Sequence, residues 1–383
     1  MDKQIDSLPE SDLVSIRHFL HANPELSGQE EHTAQFILQH LKSCNPNRIQ
    51  TGIGGHGLIA EFEGAGPGKT ILFRADMDAL PIQENHQFAH ASRAKGVSHT
   101  CGHDGHTTVL LGLARCLQEQ PLQNGKVVLL FQPAEETGMG AQQVLEDPES
   151  KLQADFAFAF HNLPGYPLGQ IVLKDHSFTA SVRSVCIRLE GITAHAGEPE
   201  NGRNPALALA QIIQETSLLS NNQVDRSDFT LITPVYIRMG EIAYGVSAGS
   251  GELHLTIRTW TERELQLLSD KIESIVRHAA DAYQLGYTLE WSQHFRANEN
   301  HPEAMQFLRE AVSRAGLEST DRQYPFKWGE DFGLFTQQFK GAMFGIGSGV
   351  DCPALHHPDY DFPDQIIPVG IKIFNTLISR ILD

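Results

Sequence analysis

The stretch Lys126-Val-Val-Leu-Leu-Phe-Gln-Pro-Ala-Glu-Glu-Thr-Gly138 decides the fold. Its apolar run Val127–Phe131 is strand-length and shows no polar alternation, the pattern of a strand buried on both faces. Working outward, runs of the same texture occur at Leu58–Phe62, Thr70–Phe73 and Phe156–Phe160. A helical pattern, roughly Thr107–Gln118, lies between the second and third strands of this set. Strands alternating with helices predict an α/β domain: a mostly parallel sheet flanked by helices, with ligands at the carboxyl ends of its strands. Upstream, residues 11–22 and 30–43 carry helical spacing, separated by Asn23-Pro24-Glu25 and Gly28.

The 383 residues exceed one typical core, so two domains are expected. The texture changes near Ser181. The order becomes strand (Ser184–Leu189), helix (Pro205–Leu219), strands (Leu231–Met239 and Leu253–Thr259), helix (Glu262–Tyr283) and strand (Tyr287–Gln293). This is the pattern of a compact α+β unit. After His301 the pattern returns to helix, strand and helix, ending in Ile366–Leu382. The predicted organisation is therefore 1–180 and 297–383 for one domain, with 181–296 inserted into it.

A formal charge of −18 argues against nucleic acid or an anionic membrane as partner, since both require clustered Lys and Arg. The opening Met1-Asp-Lys-Gln-Ile-Asp-Ser-Leu-Pro-Glu10 has no apolar core of a leader, and the apolar runs named above are short of a membrane span. Five cysteines, an odd count without a framework spacing, suit reduced thiols, and a cytoplasmic location is expected.

Four groups carry chemistry. Ser98-His-Thr-Cys-Gly-His-Asp-Gly-His106 places Cys101 and His103 two residues apart before a helix, with Gly102 and Gly105 permitting a tight turn. Alone, such a tract also occurs as an idle surface loop. Glu135 and Glu136 follow the Val127–Phe131 strand; adjacent carboxylates are ordinarily a solvated turn, yet here one can ligate a metal while its neighbour handles a proton. His161 ends the Phe156–Phe160 strand, and Leu355-His-His-Pro-Asp-Tyr-Asp-Phe362 lies near the C-terminus. One such group is weak; four at strand ends of one sheet form a candidate metal centre.

Arg74-Ala-Asp-Met-Asp-Ala-Leu-Pro81, Cys101-Gly-His-Asp-Gly-His106, Gln132-Pro-Ala-Glu-Glu136 and His356-His-Pro-Asp-Tyr-Asp-Phe362 occur in the order seen in one family. The chain resembles the di-metal amidohydrolases of the aminoacylase group, the branch of hippurate hydrolase, indoleacetyl-amino-acid hydrolases and N-acyl-amino-acid deacylases, related to carboxypeptidase G. Arg17-His-Phe-Leu-His-Ala-Asn-Pro-Glu-Leu26 and Gly191-Ile-Thr-Ala-His-Ala-Gly197 also look like this branch. The resemblance implies that Cys101 bridges two divalent metals (zinc, manganese, cobalt or nickel), with His103, Glu136, His161 and His356 completing the ligand sets. It makes Glu135 the catalytic base and His195 a catalytic group acting from the partner subunit of a homodimer built through the inserted lid. Asp76, Asp78, Asp104 and His106 are read as groups that orient the ligands. The implied reaction is hydrolysis of a small N-acyl amino acid or dipeptide-like amide.

One segment departs from the family. Tyr244-Gly-Val-Ser-Ala248 stands where an Asn-Val-Ile-Pro segment is usual, which bears on substrate preference. Arg258 is a candidate partner for a substrate carboxylate, because a guanidinium offers a planar fork; a plain surface Arg on a lid strand is the other reading. Two further functions compete with metal hydrolysis: a thiol hydrolase using Cys101 as nucleophile, which leaves Glu135, Glu136, His161 and His356 idle, and a non-catalytic binding protein on the same fold.

Overall fold

The computed structural model describes residues 10–382; the polar opening stretch begins outside them. Two compact units emerge, one comprising Phe178 and the residues before it, Asn298–Gln323 and Asp331 onward, the other Thr179–Ala297 with Tyr324–Glu330. Residues 324–330, placed with the C-terminal stretch in the sequence reading, belong to the smaller unit.

The larger unit is built on an eight-stranded sheet in the order Arg48–Ile53, Gly57–Glu63, Asn124–Gln132, Gly66–Asp76, Phe156–Pro164, Lys340–Gly349, Ile171–Leu173 and Ser319–Asp321. The four central strands, Asn124–Gln132 to Lys340–Gly349, run parallel, and antiparallel pairings flank them. Register places Asp76 opposite Gln132 and Gly345 opposite His161, so several motif residues arrive at one rim of the sheet.

The helix His103–Glu119 is buried along nearly its whole length, from His103 through Ala114. It packs against the C-terminal helix Ile367–Leu382 at two glycines. A Cβ on Gly112 would collide with Ile371, and one on Gly370 would lie 2.8 Å from Val109. Phe374 of the second helix meets Phe73 and Phe160 of the sheet, with ring centroids 4.6 and 5.8 Å apart. Each fully buried aromatic ring of this kind contributes roughly 2–3 kcal/mol through removal from water. The segment Asp364–Leu382 has the length and hydropathy of a membrane span, but half of it is buried and its apolar face forms part of the sheet's core.

In the smaller unit, Thr230–Met239, Ser250–Thr259, Ser181–Glu190 and Gly286–Phe295 form an antiparallel sheet in that order. Strict alternation along Ser250–Thr259 sends Leu253, Leu255 and Ile257 inward, where they join Leu209 and Ile212 of the helix Ala206–Ser217 and Leu268, Ile272 and Val276 of the helix Glu262–Ala282 in one core. Thr261 begins the longer helix by accepting the Glu264 N–H at 3.3 Å, a cap of about 1 kcal/mol.

Candidate metal centre

Three strand ends and one helix start converge in the larger unit. Gly102 precedes the helix His103–Glu119 with φ +97°, a left-handed conformation, and a Cβ there would lie 2.6 Å from Asn162 Oδ1. Glycine thus lets the turn press against the strand that carries His161. Asn162 Nδ2 then donates to the Cys101 carbonyl at 3.1 Å and to the Tyr360 hydroxyl at 2.5 Å, fixing the cysteine's backbone.

The donor atoms assemble around Cys101. It belongs to two triads, Cys101–His103–His161 and Cys101–Glu136–His356, whose ligand atoms all lie within 4.8 Å of one another. Each buried imidazole is oriented by its far nitrogen. His103 Nδ1 donates to Asp78 (carbonyl 3.0 Å, Oδ1 3.2 Å), and His161 Nδ1 donates to the Asn162 carbonyl at 2.9 Å. Their Nε2 atoms face the cluster: His161 Nε2 is 3.6 Å from Cys101 Sγ, and His103 Nε2 is 3.8 Å from Glu136 Oε1. His356 sits on a left-handed backbone (φ +66°), its N–H bound to the Thr100 carbonyl at 2.9 Å and its Nε2 3.5 Å from Glu136 Oε1.

Two buried atoms at the centre, His103 Nε2 and Glu136 Oε1, have no hydrogen-bond partner. Buried polar atoms are rarely left so, and two of them aimed at the same space as a thiol call for an ion. Thiolate, imidazole and carboxylate together suit a divalent transition metal, and a thiolate has lone pairs enough to serve two. The residues present therefore fit a pair of metals.

Electrostatics agree with that chemistry. Burial pulls the His103 pKa down, but Asp76, Asp78 and Glu136 overcome it and raise it to about 10. Burial and the neighbouring Glu136, Glu135 and Asp76 push the Cys101 thiol well above its ordinary range. Thiolate and neutral imidazole are the forms that ligate, so metal binding at these groups competes with protons. Burial would raise the Asp76 carboxyl, yet His103, His106 and Arg74 hold it well below the usual range.

Glu135 lies buried at the cluster, within 4.8 Å of the ligand atoms of His103 and Glu136, and its Oε1 accepts the Asp331 N–H at 3.4 Å. His106 has both ring nitrogens engaged, Nδ1 with Asp76 Oδ1 at 2.6 Å and Nε2 accepting the Asn162 N–H at 3.4 Å. Asp78 bridges from His103 to the Glu136 N–H, which it accepts at 3.1 Å. Asp104 points elsewhere, accepting His21 Nδ1 at 2.8 Å beside Arg17. It anchors the first turn of the helix to the N-terminal helix Glu10–Ala22 rather than to a donor atom.

His195 and Arg258 belong to the smaller unit. His195 is exposed on a two-residue strand paired with Val246–Ser247, so the departing segment Tyr244–Ala248 is its immediate neighbour. The Gly197 N–H donates to His195 Nδ1 at 3.0 Å, which puts the proton of the neutral ring on the outward Nε2. Arg258 is half-buried, with NH1 donating to the Lys327 carbonyl at 2.7 Å. No acidic side chain pairs with it among the described residues, and burial alone draws its pKa below the ordinary value.

Sequence reasoning did not single out Asp331. Its carboxylate accepts Arg74 NH2 at 2.6 Å, Gln132 Nε2 at 2.8 and 2.9 Å, and the Ala141 N–H at 2.9 Å, while its own N–H holds Glu135. Trp328-Gly-Glu-Asp-Phe-Gly333 has no apolar run to mark it as a strand end, so nothing in the local pattern announced the role. Ser27 and Glu30, in the loop before the second helix, were missed for the same reason.

The profile of the peptidase family M20/M25/M40 matches residues 72–380. The chain is 32% identical to N-acetyl-L-cysteine deacetylase of Bacillus subtilis (strain 168), over 98% of this chain and 89% of the relative. It is 30% identical to N-acetyldiaminopimelate deacetylase of Priestia megaterium, over 96% of this chain and 97% of that one. Among solved structures, Bacillus subtilis YXEP protein, described as a dinuclear metal binding peptidase, superposes with a TM-score of 0.83 at 28% identity, covering 97% of this chain and 98% of that chain. A match of this extent includes every donor of the cluster, and the chain belongs to peptidase family M20/M25/M40.

Proposed function

We propose that this protein is a metal-dependent amidohydrolase that cleaves a small N-acyl amino acid or related amide, releasing a carboxylic acid and a free amine. The observation that carries the reading is the pair of donor triads sharing Cys101, with the buried carboxylate of Glu135 beside them. Cys101, His103 and His161 would hold one cation, and Cys101, Glu136 and His356 the second; zinc, manganese, cobalt and nickel all suit these donors. Bound metals supply Lewis acidity, which polarises a carbonyl and makes water a stronger nucleophile.

The rest falls to the chain's own groups. Glu135 takes a proton from the attacking water and returns it to the departing nitrogen. Its orientation is held by the Asp331 N–H. Asp78 and Asn162 keep the unprotonated nitrogens of His103 and His161 turned inward. As the family resemblance implies, His195 would act from the partner subunit of a homodimer, presenting Nε2–H to the oxygen on which negative charge develops, and Arg258 would offer its guanidinium to a substrate carboxylate. The named relatives act on acetylated amino acids, so an acetyl group on an amino-acid nitrogen is the first substrate class to try.

The strand Thr230–Met239 is at a sheet edge and exposes Val235, Tyr236, Ile237 and Met239, continued by Ile242 and Tyr244. An uncovered apolar edge of this kind favours pairing with a second copy, supporting a homodimer through this unit. Five unpaired cysteines fit a reducing compartment, and we place the protein in the cytoplasm.

Purified protein is to be stripped with chelator, reloaded with each metal in turn, and screened against N-acetyl and N-benzoyl amino acids. Activity that disappears with chelation and returns with metal supports the reading. Hydrolysis indifferent to chelation would favour Cys101 as a nucleophile, against which stands the raised pKa of its buried thiol. No hydrolysis under any loading would sink both.

A further inference from the structure

We propose that Glu30 is a positioning residue that sets the aim of Glu135 by holding the backbone immediately ahead of it. The inference rests on the reading of Glu135 as the proton carrier. Glu30 lies in the loop that joins the first two helices, more than a hundred residues away in sequence, and is fully buried. Its Oε1 accepts two backbone N–H groups, that of Gly28 at 2.9 Å and that of Ala134 at 2.9 Å.

Ala134 is the sensitive point of the turn. It has φ +54°, left-handed backbone that an L-residue adopts only when its surroundings impose it. Its carbonyl is pinned by the Gly140 N–H at 3.0 Å and the Thr137 hydroxyl at 3.1 Å, and the Glu135 carbonyl accepts the Gly138 N–H at 2.7 Å. Those bonds close the turn on its far side. On the near side, the hydrogen bond from the Ala134 N–H runs to Glu30. The Glu136 N–H two residues on goes to Asp78, whose Oδ2 also accepts the Ser27 hydroxyl at 2.6 Å. One short loop, Ser27 to Glu30, thus steadies the carboxylate pair from both sides, directly at Ala134 and through Asp78 at Glu136.

Glu30 has a cost that packing alone does not explain. Its second oxygen, Oε2, is buried without a hydrogen-bond partner, a burden a neutral or apolar residue would not carry. Burial raises the Glu30 pKa, with Asp78 adding to it and the N–H donors of Gly28 and Ala134 opposing it. What the residue provides in return is an acceptor for a buried N–H in a strained turn that precedes the catalytic carboxylate.

The test compares Glu30→Ala and Glu30→Gln with the parent, each fully metal-loaded. Glu30→Ala is expected to lower kcat by about 10–100-fold, the penalty of a misplaced reacting group, with KM within about twofold and metal content unchanged. Glu30→Gln keeps a carbonyl oxygen for both N–H groups and is expected to restore most of kcat. In a Glu135→Gln background, Glu30→Ala should cost nothing further, because it acts through the group already lost. Parental kcat in Glu30→Ala, equal damage in both Glu30 variants after correction for folded fraction, or full additivity with Glu135→Gln overturns the proposal. Should Glu30→Ala fail to fold, Glu30→Asp, whose shorter side chain draws the acceptor back from both N–H groups, takes its place in the same comparisons, and parental kcat in that variant overturns the proposal. If Glu135→Gln itself retains parental turnover, the base assignment is what has failed.

Discussion

The cluster around Cys101 and the loop around His195 are built in opposite ways. Cys101, His103 and His161 are buried, and each imidazole is locked by a hydrogen bond to its outer nitrogen. His195 stands exposed on a two-residue strand, and among the described residues its ring meets the Gly197 N–H. Groups that must hold ions in fixed geometry need a rigid, hydrogen-bonded surround, since small errors in donor position cost affinity directly. A group that meets a substrate arriving from water has to remain accessible until it does. The contrast yields four expectations.

The largest effect belongs to Glu135→Gln. Turnover should fall by about 10²–10⁴-fold while two metals and the thermal midpoint are retained, because only a proton acceptor is lost. Metal analysis alongside kinetics checks this; a variant that loses metal instead would exchange the roles of Glu135 and Glu136. Next comes His195→Ala, expected to reduce kcat by about 10²–10³-fold with metal content and melting unchanged, the outcome that the proposed oxyanion role requires. Calorimetry showing a large loss of stability would break the contrast, since the ring would then be structural. Asp78→Ala should weaken metal binding by about 10–100-fold through release of His103 and the Glu136 N–H, read by competition with a chelating dye. Unchanged affinity would mean that the surround is not what organises the donors.

The smallest effect concerns pH. His21 is buried against Asp104 and Glu84; burial lowers its pKa, but the two carboxylates raise it to about 9. Burial would raise the Asp104 carboxyl, yet His21, with His99 and Arg17, holds it well below its usual range. A His whose pKa is raised by folding stabilises fully below its unfolded value of about 6.5, and that contribution disappears as pH rises through about 9. Asp104 stabilises above about 3.9 and loses its contribution as pH falls. The parent should therefore lose about 2–4 °C in melting temperature between pH 7 and 10 from His21, and His21→Asn should show a flatter alkaline slope. Parallel slopes in parent and variant would remove His21 from the account.

The sequence was most legible where one residue's environment is set by its neighbours in the chain. Val127–Phe131 and Phe156–Phe160 read as buried strands because burial on both faces demands unbroken apolar runs, and both lie within observed strands of the central sheet. The helices Glu31–Ser43 and Glu262–Ala282 follow from their apolar spacing. Short pairings such as Ile171–Leu173 with Ser319–Asp321 escaped, since three residues carry no period and their partner is far away in sequence. The donors were conspicuous as chemistry, but their supports were not. Nothing in Glu30 or Asp331 taken singly distinguishes a buried acceptor of N–H groups from an ordinary surface acid. Asp104 was misread in direction: lying one residue from His103, it turns on the helix to face His21 instead.

The interruption of the larger sheet has a consequence for how the chain is made. The strand Phe156–Pro164 pairs along its length with Lys340–Gly349, yet the whole smaller unit is encoded between them. At about 5–20 residues per second, the intervening stretch of about 180 residues takes on the order of ten to forty seconds to synthesise. During that interval Phe156, Phe158 and Phe160 stand at an open, apolar sheet edge, while the smaller unit has all of Thr179–Ala297 available to fold. An unpaired edge of this composition is the surface on which nascent chains aggregate. Newly made protein should therefore depend on a chaperone during this window, and slowing translation after Ala297 should increase insoluble product.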